Sequence, residues 1–282
     1  MLWPAVGFTK GEAIDYYARV SDAILPHLDE RPLTRVRFPN GVEQQRFYEK
    51  RSPKGTPDWV RKAPIEMGNE GVIDFVVCDQ AATLIWLAQL AALELHPSLS
   101  LMSDPERPTV LAFDLDPGQP ATVIECCRVA LTIRELFSRF DLDCFPKTSG
   151  SKGLQVYLPL NGDVTYERTK PFAHAVAQAL ERDEPKRITS RMKRELRKGK
   201  VFVDWSQNDR AKTTVAVYSL RARERPTVST PLSWDEVADA IDDGDPESLR
   251  FETPDVLGRI KRHGDLFAPV LELRQELPDS VT

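Results

Sequence analysis

Asp114-Leu115-Asp116 carries the sharpest chemical signal in the 282-residue chain. It ends "TVLAFDLDPG", an apolar, β-branched run stopped by Pro117-Gly118, which predicts a strand tipped by two acids. Residues i and i+2 of a strand project to one face, so these carboxylates stand side by side. Like charges that close repel unless a cation lies between them, and hard oxygen donors suit Mg2+ or Mn2+. Asp204, closing "KVFVDW", supplies a third carboxylate from a second predicted strand. Acids from two strands are what a two-metal phosphoryl or nucleotidyl transfer site needs, its ions about 4 Å apart, activating the attacking oxygen and stabilising the leaving one. Each acid alone also fits ordinary strand-end turn chemistry.

The second signal is "TSGSKGLQVYLPL" at 148–160. Lys152 precedes Gly153 with no Ser or Thr after it, so this is not the G-x-x-x-x-G-K-[ST] phosphate loop. Thr148, Ser149 and Ser151 bring hydroxyls and Lys152 an ammonium to a turn whose backbone N–H groups also suit a phosphate. A plain polar hairpin turn has the same composition.

Several elements must position these residues. Thr9 and Glu12 form a capping box, and Ile14, Tyr17, Ser21, Ile24 and Leu28 follow at helical spacing, so a helix starts near Lys10 and ends or bends at Pro26. "LTRVRF" and "QQRFYEK" read as strands around the Pro39-Asn40-Gly41 turn, and "GVIDFVVCD" as another. Ala81 to Leu95 reads as a buried helix capped by Asp79. Thr122 to Phe140, 168–182 and 186–198 are predicted helices, the last with a seam of Ile188, Met192 and Leu196 and a basic remainder. "LQVYLPL", "KVFVDW" and "TTVAVYSL" are predicted strands. The mixture predicts an α/β (α+β) fold with mixed β-sheets flanked by helices. No flexible linker interrupts it, so residues 1–282 are expected to form one domain, with a catalytic core at about 9–234 and an acidic C-terminal region at about 235–282.

Hydrophobic residues make up 41% of the chain and charged residues 29%, the composition of an ordinary folded protein. The net charge of −5 conceals segregation. Arg31 to Lys62 holds nine Lys/Arg against three acids, Lys186 to Lys200 eight against one, and Asp235 to Thr282 five against thirteen. Local potential governs what an anionic partner meets, so nucleic acid is not excluded. The four cysteines show no CxxC pair or Cys/His ligand spacing, which excludes a structural zinc motif and fits a reducing compartment. The start "MLWPAVGFTKGE" lacks signal-peptide features, and Ala81–Leu95 is too short to span a bilayer. The expected setting is therefore cytoplasmic, with no membrane partner.

In order along the chain, "FDLDPG", "TSGSKGLQVYLPL" and "VFVDWSQN…KTTVAVYSLRAR…PTVSTPLSWDEV" resemble the polymerase domain of bacterial DNA ligase D, within the archaeo-eukaryotic primase superfamily. The likeness runs from about Leu2 to Leu266 and includes "FTKGEAIDYY", "RFPNGVEQQRFYEK" and "WLAQLAALELH". The length leaves no room for ligase or nuclease domains, so a stand-alone homologue with a primase-like catalytic core is expected.

The resemblance implies that Asp114, Asp116 and Asp204 are catalytic and hold two Mn2+ or Mg2+ ions. It implies nucleotide contacts from Ser149, Ser151, Lys152, Gln155, Lys212, Arg221, Arg223 and His96. It places Phe47 and Tyr48 against nucleic-acid bases, with Arg37 and Lys50 beside them and Lys10 on a 5′-phosphate. A solvated first-turn lysine and a structural histidine are the plain readings of Lys10 and His96. The implied activity is template-dependent extension of DNA 3′ ends by NTP or dNTP, filling short gaps in repair with a preference for ribonucleotides. Implied partners are gapped or broken DNA bearing a 5′-phosphate, a separate ligase and end-binding repair proteins of a bacterial nucleoid. A DNA-end or gap-binding module with weakened catalysis is the alternative, and a metal-dependent nuclease would use the same three acids.

Two features depart from the family. Its S-G-x-K-G-x-H motif ends here in Gln155, a donor that is never cationic. A lysine that precedes the position of Met1 in the family has no counterpart, which suggests Met1 as an internal start.

Overall fold

The capping box at Thr9 forms as expected: the Thr9 hydroxyl accepts from Glu12 N at 3.1 Å and the Glu12 carboxylate accepts from Thr9 N at 2.7 Å. It starts helix α1 (Lys10–Arg19) in a computed structural model that describes residues 1–280. After a break at Val20 the chain resumes as α2 (Ser21–Ile24), and a 3-10 turn at Leu25–His27 ends it at Pro26, as expected. The chain divides into two units, each assembled from separated stretches. The first comprises Met1–Pro105, Thr213–Thr230 and Phe251–Asp265; the second comprises Glu106–Lys212, Pro231–Arg250 and the chain from Leu266 onward.

In the first unit, β1 (Leu33–Arg37), β2 (Phe47–Glu49), β3 (Lys62–Glu66), β4 (Val72–Val76) and β5 (Ala92–Pro97) build a five-stranded sheet. Its order is β2-β1-β4-β3, and β5 also pairs with β1. The apolar run Ala81–Leu95 is not one helix. Helix α3 (Ala81–Gln89) ends, Ala91 turns at φ 56°, and the chain returns as β5, with His96 opposite Thr34. A segment so largely apolar shows no clear polar face, so its periodicity does not separate helix from strand. Asp79 does not cap α3; Gln80 holds that position, and Asp79 lies 3.9 Å from Arg61.

A short hairpin, β6 (Ser100–Leu101) with β7 (Asp104–Pro108), carries the chain onward. Later, β13 (Leu220–Ala222) and β14 (Pro226–Val228) form a ribbon, and α7 (Thr253–His263) also belongs to the first unit. The strand expected at "TTVAVYSL" is confined to its end, because Tyr218 adopts φ 64° and breaks the extended run. The turn it makes gives its carbonyl to the buried Tyr16 hydroxyl at 2.8 Å.

The second unit holds β8 (Val110–Pro117), β9 (Phe145–Thr148), β10 (Leu154–Pro159), β11 (Ile188–Thr189) and β12 (Val201–Asp204) in the order β11-β12-β8-β10-β9. Helices α4 (Val123–Ser138), α5 (Tyr166–Asp183), α6 (Trp234–Asp243) and α8 (Pro269–Glu272) complete it. The predicted helix at 186–198 does not form. Ile188 and Thr189 pair in parallel with β12, and only a 3-10 turn follows at Arg194–Arg197. Ser190 gives its N–H and hydroxyl to Glu181 of α5 at 2.9 and 2.6 Å, removing a donor from any helical ladder. Of the supposed seam only Ile188 is buried, as part of the sheet, and Met192 and Leu196 are 50% and 38% exposed.

Candidate active site

Strand β8 is the axis of the site. The register sets Asp204 opposite Asp114 on the β12 side and Gln155 opposite Asp114 on the β10 side, and Lys147 of β9 lies opposite Gln155. Directly opposed residues in antiparallel strands share a face. One row, Lys147–Gln155–Asp114–Asp204, therefore crosses four strands, and Asp116 stands two residues along on the same face. Phe113 and Leu115 alternate to the opposite face and are buried.

The acids have different partners. Burial chiefly, then the charges of Asp116 and Asp204, push the Asp114 carboxyl up to about 7, against the pull of a Gln155 hydrogen bond and the Lys147 ammonium. Asp204 Oδ1 accepts from Ser206 N at 2.9 Å and Ser206 Oγ at 2.6 Å, and its Oδ2 accepts from Gln207 Nε2 at 2.9 Å. Lys212 Nζ donates to Ser206 Oγ at 2.9 Å, so it reaches Asp204 through that hydroxyl. Asp116 faces Lys152 at 3.7 Å and Arg197 at 3.9 Å. Among the described residues, no group of three His, Cys, Asp or Glu is drawn together closely enough to form a ready metal centre. The chemistry of the three acids nonetheless fits a hard divalent cation, which relieves the mutual repulsion that raises the Asp114 carboxyl.

The expected phosphate turn is the β9–β10 hairpin. Ser149 Oγ accepts from the N–H groups of Ser151 and Gly153, both at 3.2 Å, while Ser149 N donates to Gly153 O at 3.0 Å. Ser149 thus shapes the turn, and Lys152 and Ser151 are exposed on it. A Cβ on Gly153 would lie 2.1 Å from Leu115 O, so only glycine lets the turn sit against β8. Gly153→Ala is expected to cost about 1–3 kcal/mol by overpacking and to lower Tm by roughly 2–10 °C. An unchanged melting curve would show that the hairpin and β8 do not abut.

The remaining candidate residues belong to the first unit. His96 Nε2 lies 3.1 Å from Glu94 Oε2, Arg221 Nε lies 3.4 Å from Glu94 Oε1, and Ala222 N donates to that same oxygen at 3.0 Å. Burial favours the neutral acid, but the His96 hydrogen bond, the Arg221 and His96 charges and the Ala222 N–H outweigh it and hold Glu94 at about 2. Glu94 was invisible as a site residue in the sequence, where it sits inside an apolar run. Arg223 is exposed just beyond β13. Phe47 and Tyr48 are 41% and 61% exposed on β2, so neither is a core residue. Arg37 donates to Glu49 and to Leu90 O, each at 2.8 Å, and Lys50 pairs with Glu70 at 2.7 Å. Lys10 occupies the first turn of α1, where a cation gains nothing from the helix dipole. Lys147, Arg197, Ser206 and Gln207 also escaped the sequence reading; "DWSQN" held a local clue, an Asp two residues before a Ser, whereas Lys147 gave none.

A mixed α/β architecture with several β-sheets flanked by helices has the fold of a primase-polymerase catalytic core. The chain belongs to the LigD primase-polymerase family: the family model "LigD, primase-polymerase domain" matches residues 9–267. The polymerase domain from Mycobacterium tuberculosis ligase D, solved in complex with DNA, matches with a TM-score of 0.89 and 41% identity over 98% of this chain and 96% of that one. The multifunctional non-homologous end joining protein LigD of Mycolicibacterium smegmatis is 41% identical over 100% of this chain, and the bifunctional LigD of Bacillus subtilis 32% over 96%. This chain spans only 36% and 43% of those two proteins. Among the described residues, no helix is long and apolar enough to cross a membrane.

Proposed function

We propose that residues 1–282 act as one primase-polymerase domain, a template-dependent nucleotidyltransferase that extends DNA 3′ ends and fills short gaps in repair. The observation that carries this reading is the row of acids on β8 and β12 beside the Lys152 hairpin, in a chain of this family. Asp114, Asp116 and Asp204 would hold Mn2+ or Mg2+, which when bound supplies charge neutralisation to the attacking and leaving oxygens. Lys152, on an exposed turn 3.7 Å from Asp116, meets the triphosphate as a point charge, and Ser151 and the turn amides add hydrogen bonds. Lys212 holds Ser206 against Asp204 and so steadies that carboxylate. Glu94 orients His96 and Arg221, the further nucleotide contacts, and Arg223 stands beyond them on the surface. Phosphoryl transfer depends chiefly on such positioning and charge neutralisation.

Phe47 and Tyr48 present exposed rings on which bases stack, Arg37 and Lys50 lie beside them, and Lys10 receives a 5′-phosphate at the α1 N-terminus. Stacking contributes about 1–3 kcal/mol per base. The Phe47→Ala and Tyr48→Ala chains are therefore expected to bind gapped DNA roughly tenfold or more weakly, with Tm unchanged because both rings are exposed. Fluorescence anisotropy on a labelled gapped duplex reads this, and parental affinity in both variants removes the rings from the interface. Preference for ribonucleotides, and work alongside a separate ligase and end-binding proteins at a bacterial nucleoid, rest on the family resemblance and on relatives named for end joining.

A second reading, an end-binding module with weakened catalysis, is favoured by Gln155, whose amide oxygen is committed to Lys147. Incorporation of NTP on gapped duplex with Mn2+ decides between them. Extension supports the polymerase, whereas tight binding without extension supports the module.

A further inference from the structure

Lys147 is fully buried on β9, a place lysine almost never occupies without a partner. Its Nζ donates to Gln155 Oε1 at 2.6 Å and lies 5.4 Å from the centre of the Tyr157 ring, which stands two residues along β10 from Gln155. Gln155, itself buried, stands directly opposite Asp114 in the β8–β10 register, on the same face of the sheet, and its amide favours the ionised Asp114 carboxyl. A carboxylate only accepts and an ammonium only donates, so the amide has one satisfactory orientation: oxygen toward Lys147, N–H toward Asp114. Reversed, it would set oxygen against carboxylate and NH2 against ammonium. Lys147 therefore locks the amide, and the amide holds the Asp114 side chain.

We propose that Lys147 and Gln155 are a positioning pair that aims Asp114 at its divalent cation. This rests on the reading of Asp114 as a metal ligand. Groups that orient a ligand commonly change metal affinity by about 10–100-fold when altered. Because Lys147 acts through Gln155, removing either breaks the same link, and the losses do not multiply.

The test is Mn2+ binding to the whole chain without nucleotide or DNA, followed by electron paramagnetic resonance of the free ion. Lys147→Met removes the ammonium at nearly constant volume, and Gln155→Asn keeps an amide too short to span both partners. Each is expected to weaken Mn2+ binding about tenfold or more, and the double variant no further than the weaker single one. Parental affinity in either folded variant, while Asp114→Ala loses binding, overturns the pair and leaves the site intact. Parental affinity in Asp114→Ala overturns the metal assignment and the pair with it. Should Lys147→Met not fold, as circular dichroism would show, Gln155→Asn decides alone.

Discussion

Asp114→Asn is expected to abolish nucleotide incorporation on gapped duplex, by about a thousandfold or more, while raising the thermal stability of the metal-free chain at pH 8. The two effects share a cause. Asp114 is half-buried beside Asp116 and Asp204, and burial first, then their charges, push its carboxyl up to about 7 in the folded chain, against about 3.9 when unfolded. An acid whose folded value is raised destabilises the fold once it ionises: the cost is absent below about pH 4, grows as pH rises toward 7 and is full above it. Asparagine keeps the shape without the charge, so in chelator its Tm is expected to exceed the parent's by several degrees at pH 8 and to converge with it near pH 4. DNA affinity is expected to stay near parental. Incorporation at the parental rate would remove Asp114 from the chemistry, and a lower Tm at pH 8 would refute the crowding.

The second large effect is expected at Lys152. Its side chain is 63% exposed, so it contributes little to stability, and within its reach lie Asp116 at 3.7 Å and the Pro117 carbonyl at 3.5 Å. A charge-assisted contact to phosphate contributes about 1.5–3 kcal/mol. Lys152→Ala is therefore expected to weaken NTP binding about 10–100-fold with Tm unchanged, read by titration of a fluorescent nucleotide and by KM in the extension assay. The experiment also separates classes of activity. A nuclease built on the same three acids has no triphosphate pocket, so NTP binding unaffected by Lys152→Ala would favour that reading over a polymerase.

Much of the site was legible locally. Asp114 and Asp116 stand out because alternation along one strand and a Pro-Gly stop fix both their face and their end position. A turn at 148–153 was legible from its Ser, Gly and Lys content, and the chain makes a hairpin there. Legibility failed where burial is uniform or packing decides. Ala81–Leu95 is apolar but for Thr83, Gln89 and Glu94, so the reversal at Ala91 left no periodic trace. At 186–198 an apparent helical seam lost to strand pairing with β12 and to the bonds from Ser190 to Glu181.

The sequence by itself determined the family, the order of the motifs and the identity of the three acids, because these depend on residue type and near-neighbour spacing. Only the tertiary structure decided which groups face one another. Strand register aligned Lys147, Gln155, Asp114 and Asp204, and tertiary packing brought the Glu94 carboxylate to the Ala222 N–H, 128 residues along the chain. Register is set by pairing among strands far apart in sequence, and a slip of one residue would turn each side chain to the opposite face. For that reason Gln155, in sequence simply an uncharged residue beside a polar turn, comes in the fold to stand between a buried ammonium and the central carboxylate.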